Sequence, residues 1–424
     1  MIELYNADCL EKLDELAEGS VDAIVTDPPY ELNFMSKGWD NAGVSFSKKT
    51  WVKCLRVLKP GGYLLAFGGS RTYHRIACAI EDGGFEIRDC IMWLYGSGFP
   101  KSMDIEKAIN KQDGVTFISK PASGVGFMNS DNDGYHNTFN QLKQVGESAE
   151  RAKKWHGWGT ALKPSYEPII MARKPFKGSC VDNVLEHGVG GINIDECRVG
   201  SEKLRNSYAG NKNSGFTSAD DRDAKGKGMF AGEKKGETIV TGRFPANTLL
   251  TYDETDYDEV CGGFPNSKGG SGKGFKKNDY AEKETATNST RGDFVPYNDN
   301  GSASRYFYCA KASKKDRDEG LANREHKKVN DGRKTPIDNA FQRGETLRKN
   351  THPTVKPTEL MQYLIRLVAP KGSTILDPFM GSGSTGKAVM YENKERNTGY
   401  SFIGIEKQSD YCEIAKARID YARK

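Results

Sequence analysis

Two acidic loops in this chain carry residues that could do chemistry: Asp27-Pro28-Pro29-Tyr30, and the stretch DPFMGSGST from Asp377 to Thr385. Each comes after a short apolar run that reads as a buried strand, Val21–Val25 for the first and Ser373–Leu376 for the second. Asp27 offers a carboxylate that can accept hydrogen bonds or a proton. Two consecutive prolines cannot donate to a sheet ladder, so the first strand must stop at Asp27. The tetrapeptide is then a rigid, extended loop at a strand's carboxyl end, where open α/β sheets build their sites. Taken alone, it reads equally well as a turn.

In the second loop Gly381 and Gly383 permit close backbone approach, and the helix after them presents an N-terminus favourable to anions. Three readings fit it. Gly381, Gly383 and Gly386 satisfy G-x-G-x-x-G of a dinucleotide fold, although the Asp-Pro-Phe entry is atypical. Gly381 through Lys387 satisfy most of a P-loop, but Ala388 stands where a hydroxyl should bind magnesium. The third reading is an S-adenosylmethionine pocket, with the Gly-rich loop against the amino-acid end. It needs an acid one βα unit later for the ribose hydroxyls, and Glu406, ending FIGIE, stands there. Asp8, at the end of the first strand, could meet the adenine. Each acid on its own is as readily a solvated carboxylate.

The elements that must position these loops alternate. IELYN is a strand, CLEKLDELAEGS a helix with Leu10, Leu13 and Leu16 at helical spacing, and a further helix ends in CLRVLKPGG. YLLAFGG and FEIRDCIMWLY are strands around the helix TYHRIACAIEDGG, and SYEPIIMARKP is one more strand. Regularity then fades from about 175 to 350, where KGKGMFAGEKKGE and FPNSKGGSGKGFKKN read as flexible loops between the short strands GRFPANTLL and RYFYCAKA. Order returns with a helix bearing Leu360, Tyr363, Leu364 and Leu367, then the strands STILD and SFIGIE and their helices. The two terminal βα units need a sheet to join. The economical fold is one mostly parallel α/β sheet of Rossmann-like order, with residues 1–175 and 351–424 as its halves and 176–350 as an insert.

With 424 residues the chain exceeds one ordinary core. A mean hydropathy of −0.68 implies long polar segments. The whole basic excess of +5 lies in residues 201–350, which hint at a polyanionic partner. No run is apolar enough to span a membrane, and MIELYNADCL lacks the regions of a signal peptide. Nine cysteines without a C-x-x-C pair suit reduced thiols in a cytoplasm. Cys180, His187 and Cys197 are loosely spaced for zinc, and no metal is expected.

Together, Asp27–Tyr30 and Asp377–Gly383 resemble the catalytic and cofactor signatures of amino-nitrogen DNA methyltransferases. Their order, catalytic motif first, resembles the beta class, and NADCLEKL, LRVLKPGGYLLAFG, KPSYEPIIMARKP, RYFYCAKAS and HPTVKPTELM are similar to segments of that family. The resemblance covers roughly 1–175 and 300–424. It implies that the Asp27 carboxylate and the Pro28 carbonyl accept the two N–H bonds of an exocyclic amino group. Pro29 would stiffen the loop and Tyr30 would stack on an extruded base. Asp377, Pro378, Phe379, Gly381 and Gly383 would meet the methionine end of S-adenosylmethionine, Glu406 the ribose and Asp8 the adenine. Thr354, Lys356 and Pro357 would wall the same pocket.

The resemblance further implies sequence-specific adenine-N6 methylation of double-stranded DNA, since cytosine-N4 enzymes of this family more often carry Ser at the position of Asp27. Cytosine-N4 methylation, an RNA substrate, a silent DNA-binding module and an ATPase remain alternatives. Lys101, Lys273, Lys276 and Lys277 are expected to face DNA, and Trp39 and Trp93 are candidates for the base channel or for packing. A homodimer, a partner restriction endonuclease and a nucleoid-associated cytoplasmic location in a prokaryote or phage complete these expectations.

Overall fold

The computed structural model describes residues 1–32, 43–95, 102–115, 150–205, 239–252, 266–268, 300–302, 307–311, 314–330 and 345–424. Contacts divide the chain into two compact units, Met1–Gly96 with Tyr166–Lys424, and Ser97–Ser165. In the larger unit the order begins β1 (Ile2–Asn6), α1 (Cys9–Glu15), β2 (Val21–Thr26), α2 (Lys48–Val57), β3 (Leu58–Phe67), α3 (Tyr73–Asp82) and β4 (Glu86–Tyr95). It continues with β5 (Tyr166–Arg173), α4 (Cys180–His187), β6 (Thr248–Tyr252), β7 (Tyr308–Lys311) and α5 (Lys314–Asp318). The C-terminal part supplies α6 (Thr358–Val368), β8 (Thr374–Asp377), α7 (Ser384–Arg396), β9 (Ser401–Glu406) and α8 (Ser409–Arg423).

These nine strands form one sheet in the order β1-β9-β8-β2-β3-β5-β4-β6-β7, and six further short strands of the described residues pair off in three two-stranded sheets. Neighbours are parallel except at β5, which runs antiparallel to both β3 and β4. The two ends of the chain meet in this sheet, β9 beside β1 and β8 beside β2, as the alternating pattern required.

Helices cover both faces, which explains why every residue of β2 is buried. On one face Val21, Ile24, Leu64 and Ala66 pack with Leu13, Trp51, Cys54, Ile76 and Ile80. On the other, Ala23, Val25, Leu65 and Phe67 pack with Leu360, Leu364, Val389 and Ile419. Alternate residues of β2 and β3 thus feed opposite cores.

The segment 176–350 contributes to this sheet: β6 pairs with β4 and β7 with β6. Helix α4 also packs on β3, where Asn183 donates to the Pro60 carbonyl at 3.1 Å. In the smaller unit, helices Ile105–Gln112 and Glu150–Lys153 are joined by an Arg151–Asp113 ion pair, and Trp155 meets Trp158 edge to face at 5.4 Å. Among the described residues no helix is long and apolar enough to cross a membrane.

Parallel strands bring Thr26, Phe67, Tyr95, Asp377 and Glu406 to a single edge of the sheet, and β5, running the other way, starts at that edge. Its Glu167 therefore pairs in register with Trp93, near the end of β4.

Candidate active site

Asp27 leaves β2 at this edge, where the prolines end the ladder. Its Oδ2 accepts from the Lys356 ammonium at 2.7 Å, while Oδ1 is buried and has no hydrogen-bond partner among the described residues. A buried acceptor without a donor is costly, by about 1–3 kcal/mol, so such an atom marks a place where a donor is meant to arrive. The Tyr30 hydroxyl donates to Glu167 Oε2 at 2.7 Å, and the Tyr30 carbonyl accepts from Thr72 Oγ1 at 2.8 Å. Burial and the neighbouring Asp27 and Glu167 carboxylates push the Tyr30 hydroxyl well above its ordinary value, so it stays a donor.

The second loop is tied directly to the first. Thr26 Oγ1, on the residue before Asp27, donates to Asp377 Oδ1 at 2.7 Å, and Thr385 Oγ1 donates to Asp377 Oδ2 at 2.6 Å. Asp377 Oδ1 also accepts the Phe379 N–H at 3.1 Å. Burial pushes the Asp377 carboxyl up to about 6, against the pull of these donors. Asp377 thus clasps strand ends and helix α7 into one frame.

Glu406 ends β9 beside that frame. Its Oε2 accepts the Gly381 N–H at 2.9 Å and its Oε1 accepts the Gln408 N–H at 2.7 Å. Burial pushes it up to about 7. Asp8 caps α1 through the Leu10 N–H and is paired with Lys407, whose ammonium lowers the Asp8 carboxyl.

The HPTVKP segment does two different things. His352 packs against Gly381, where an added Cβ would sit 2.9 Å from the imidazole, and it meets the Tyr411 ring at 4.6 Å. Burial lowers His352 to about 4, leaving it neutral. Thr354 is exposed, and its carbonyl bonds the His352 ring. Pro357 opens α6. Lys356 is buried and its ammonium pairs with Asp27 of the first loop.

The glycines also have a reason unlike the expected one. Gly383 has φ +78°, and a Cβ there would lie 2.8 Å from Ala415 of α8. Loop packing against that helix requires the glycine. Lys387, the P-loop-like lysine, is fully buried and paired with Asp316 of α5 and with Glu319 at 2.6 Å. It cannot reach a phosphate, so the P-loop reading fails on geometry.

Trp93 is a core residue, edge-on to Phe67 at 6.0 Å, with its Nε1 donating to Thr251 at 2.8 Å. Trp39, Lys101, Lys273, Lys276 and Lys277 lie outside the described residues. Cys180, His187 and Cys197 do not converge; among the described residues no three His, Cys, Asp or Glu side chains group as a metal site. Sequence reasoning missed Glu167, Thr26 and Thr385. The segment KPSYEPIIMARKP contained Glu167, but only the antiparallel placement of β5 makes it part of the site.

A family model described as DNA methylase, of the N6/N4 type, matches residues 21–417. The chain belongs to the N6/N4 DNA methylase family. Among relatives, the chain is similar to M.HindIII, a type II methyltransferase of Haemophilus influenzae, with 22% identity over 232 residues, 45% of this chain and 64% of that protein. The chain thus matches less than two thirds of that relative's length. Solved structures to which the chain is similar include the M1.HpyAVI–SAM complex (16% identity, TM-score 0.37, 99% of this chain and 100% of that one). Another is the cytosine-N4-specific PvuII DNA methyltransferase (12% identity, TM-score 0.41, 98% and 86%). At these scores no residue role is carried across.

Proposed function

We propose that this protein transfers a methyl group to the N6 amino group of adenine in double-stranded DNA. The observation that carries the reading is the divided Asp27 carboxylate: Oδ2 is held by Lys356, and Oδ1 is buried at the end of β2 without a partner among the described residues. An exocyclic amino group is a poor nucleophile because its lone pair delocalises into the ring. Asp27 Oδ1 accepts one N–H and the Pro28 carbonyl accepts the other, drawing the nitrogen towards tetrahedral geometry. Asp27 then takes up the proton that the alkylated nitrogen releases. Tyr30, fixed by Glu167 and Thr72, offers a ring face to an extruded base.

The residues around the glycine loop fit the methyl donor. Glu406 keeps free lone pairs on a buried carboxylate that donors would stabilise, as ribose hydroxyls would. Phe379 and Gly381, next to it, would line the methionine end. Bound there, S-adenosylmethionine supplies an electrophilic methyl group on a sulfonium whose sulfur leaves with the bonding pair. Alignment, with the two loops locked through Thr26 and Asp377, provides most of the rate.

Aspartate at position 27 supports adenine over cytosine. Residues 176–350, which hold the basic surplus, are assigned DNA contact and sequence choice. The test is to incubate mixed-sequence DNA with methyl-labelled S-adenosylmethionine and the protein, digest to nucleosides and separate them. Label in N6-methyladenine supports the proposal. Label in N4-methylcytosine overturns the choice of base, and unlabelled DNA overturns the reaction.

A further inference from the structure

Glu167 and Lys356 form a charged assembly that the methyl-transfer scheme does not yet use. Lys356 is 7% exposed, yet its ammonium lies 2.7 Å from Asp27 Oδ2 and 3.3 Å from Glu167 Oε2. Three ring faces surround the same nitrogen: Phe67 at 4.9 Å, Tyr30 at 5.3 Å and Trp93 at 5.9 Å from the centroids. Aromatic faces attract a cation and partly offset its loss of water. Glu167 in turn accepts the Tyr30 hydroxyl at 2.7 Å and the Tyr95 hydroxyl at 3.4 Å. The chain of contacts therefore runs from Asp27 through Lys356 and Glu167 to Tyr30, joining the carboxylate to the ring of the same tetrapeptide.

This assembly has a geometric consequence. The terminal torsion of a carboxylate is soft and two-fold, so an isolated Asp27 would sample many orientations. A fixed ammonium on Oδ2 selects one and leaves Oδ1 as the acceptor towards the reacting nitrogen. We propose that Lys356 and Glu167 are positioning residues for methyl transfer: Lys356 fixes and charge-balances Asp27, and Glu167 holds both Lys356 and the Tyr30 ring in place. The inference rests on the proposed methyl-transfer function. It sets Lys356 apart from the cofactor wall, because two of its three ammonium N–H groups are engaged by the Asp27 and Glu167 carboxylates.

Other groups facing Asp27 set its electrostatic background: the Asp377 carboxyl across Thr26, neutral His352 and the Tyr30 hydroxyl. Among these Lys356 supplies the positive charge. A purely structural lysine would not lower kcat while leaving KM for the cofactor near the parental value.

The experiment compares the parent with Lys356→Met, Lys356→Arg and Glu167→Gln, measuring kcat and KM for S-adenosylmethionine on DNA, with melting temperature as a check on folding. Lys356→Met is expected to lose about 100-fold in kcat, the scale of a misplaced reacting group, with KM for the cofactor within about threefold. Lys356→Arg should recover part of that loss. Glu167→Gln, which keeps a partner for Tyr30, should lower kcat less than Lys356→Met does. Parental kcat in Lys356→Met overturns the inference. So does a KM raised more than about tenfold with kcat intact, which would return Lys356 to the cofactor wall. If Lys356→Met fails to fold, Lys356→Arg and Glu167→Gln decide: parental kcat in both overturns the inference. A parent that transfers no methyl to DNA overturns the proposed function and this inference with it, whereas an active parent with insensitive variants overturns the inference alone.

Discussion

Cofactor affinity should depend on pH through Glu406. Burial holds this carboxyl at about 7, against an ordinary value of 4.5. Ribose hydroxyls donating to the ionised carboxylate would bring it back towards that ordinary value, so binding and ionisation are linked. Below pH 7 the free protein carries a proton on Glu406 that must leave on binding, so affinity falls as pH drops. With a carboxyl at about 7 when free and about 4.5 when bound, Kd at pH 5.5 should be about 30-fold weaker than at pH 8, or about 2 kcal/mol. Isothermal calorimetry with S-adenosylmethionine across this range measures it, and repeating the titration near pH 7 in buffers of different ionisation enthalpy should reveal proton release. Titrations belonging to the cofactor itself cancel against Glu406→Gln, which should bind more weakly at pH 8 and lose the Glu406 component. A Kd that does not change with pH, or an identical pH dependence in Glu406→Gln, would refute the assignment.

Gly383→Val places a branched side chain at positive φ against Ala415, so the melting transition should drop by an amount corresponding to about 1–3 kcal/mol; an unchanged transition would show that α8 gives way freely. Lys387→Met removes the ammonium between Asp316 and Glu319, which keep Thr358, Arg418 and Tyr391 as partners, and should destabilise by about 1–3 kcal/mol in denaturant titration; a wild-type midpoint would mean that the buried pair is replaceable. Neutralising Lys273, Lys276 and Lys277 together should weaken DNA binding and reduce its salt slope by up to about 3, with cofactor affinity unchanged; an unaltered slope would remove these lysines from the phosphate contacts.

The joining of the two terminal βα units to the N-terminal strands was legible because each parallel βα unit carries a local signature: an apolar run, a turn and an apolar stripe. Asp27, Asp377 and Glu406 each end such a run, and in a parallel sheet such ends must share an edge. Glu167 was not legible for the same physical reason. It begins a strand, and only the reversal of β5 between β3 and β4 carries a strand's start to the edge where the others finish. The pairing of Lys356 with Asp27, a carboxylate 329 residues away, was not legible either, since tertiary packing makes it. Gly383 shows a third kind of limit. Its backbone freedom is readable, but whether a ligand or a helix presses on it depends on α8, which lies beyond any local pattern.

The central claim is that the free oxygen of Asp27 accepts the amino group that becomes methylated. The most direct test is single-turnover methyl transfer by Asp27→Ala, with S-adenosylmethionine and DNA binding measured on the same preparation. The expected result is a loss of about 2–4 kcal/mol in transition-state stabilisation, roughly 30- to 1000-fold in rate, with both binding constants near those of the parent. A variant that transfers the methyl group at the parental rate would contradict the claim.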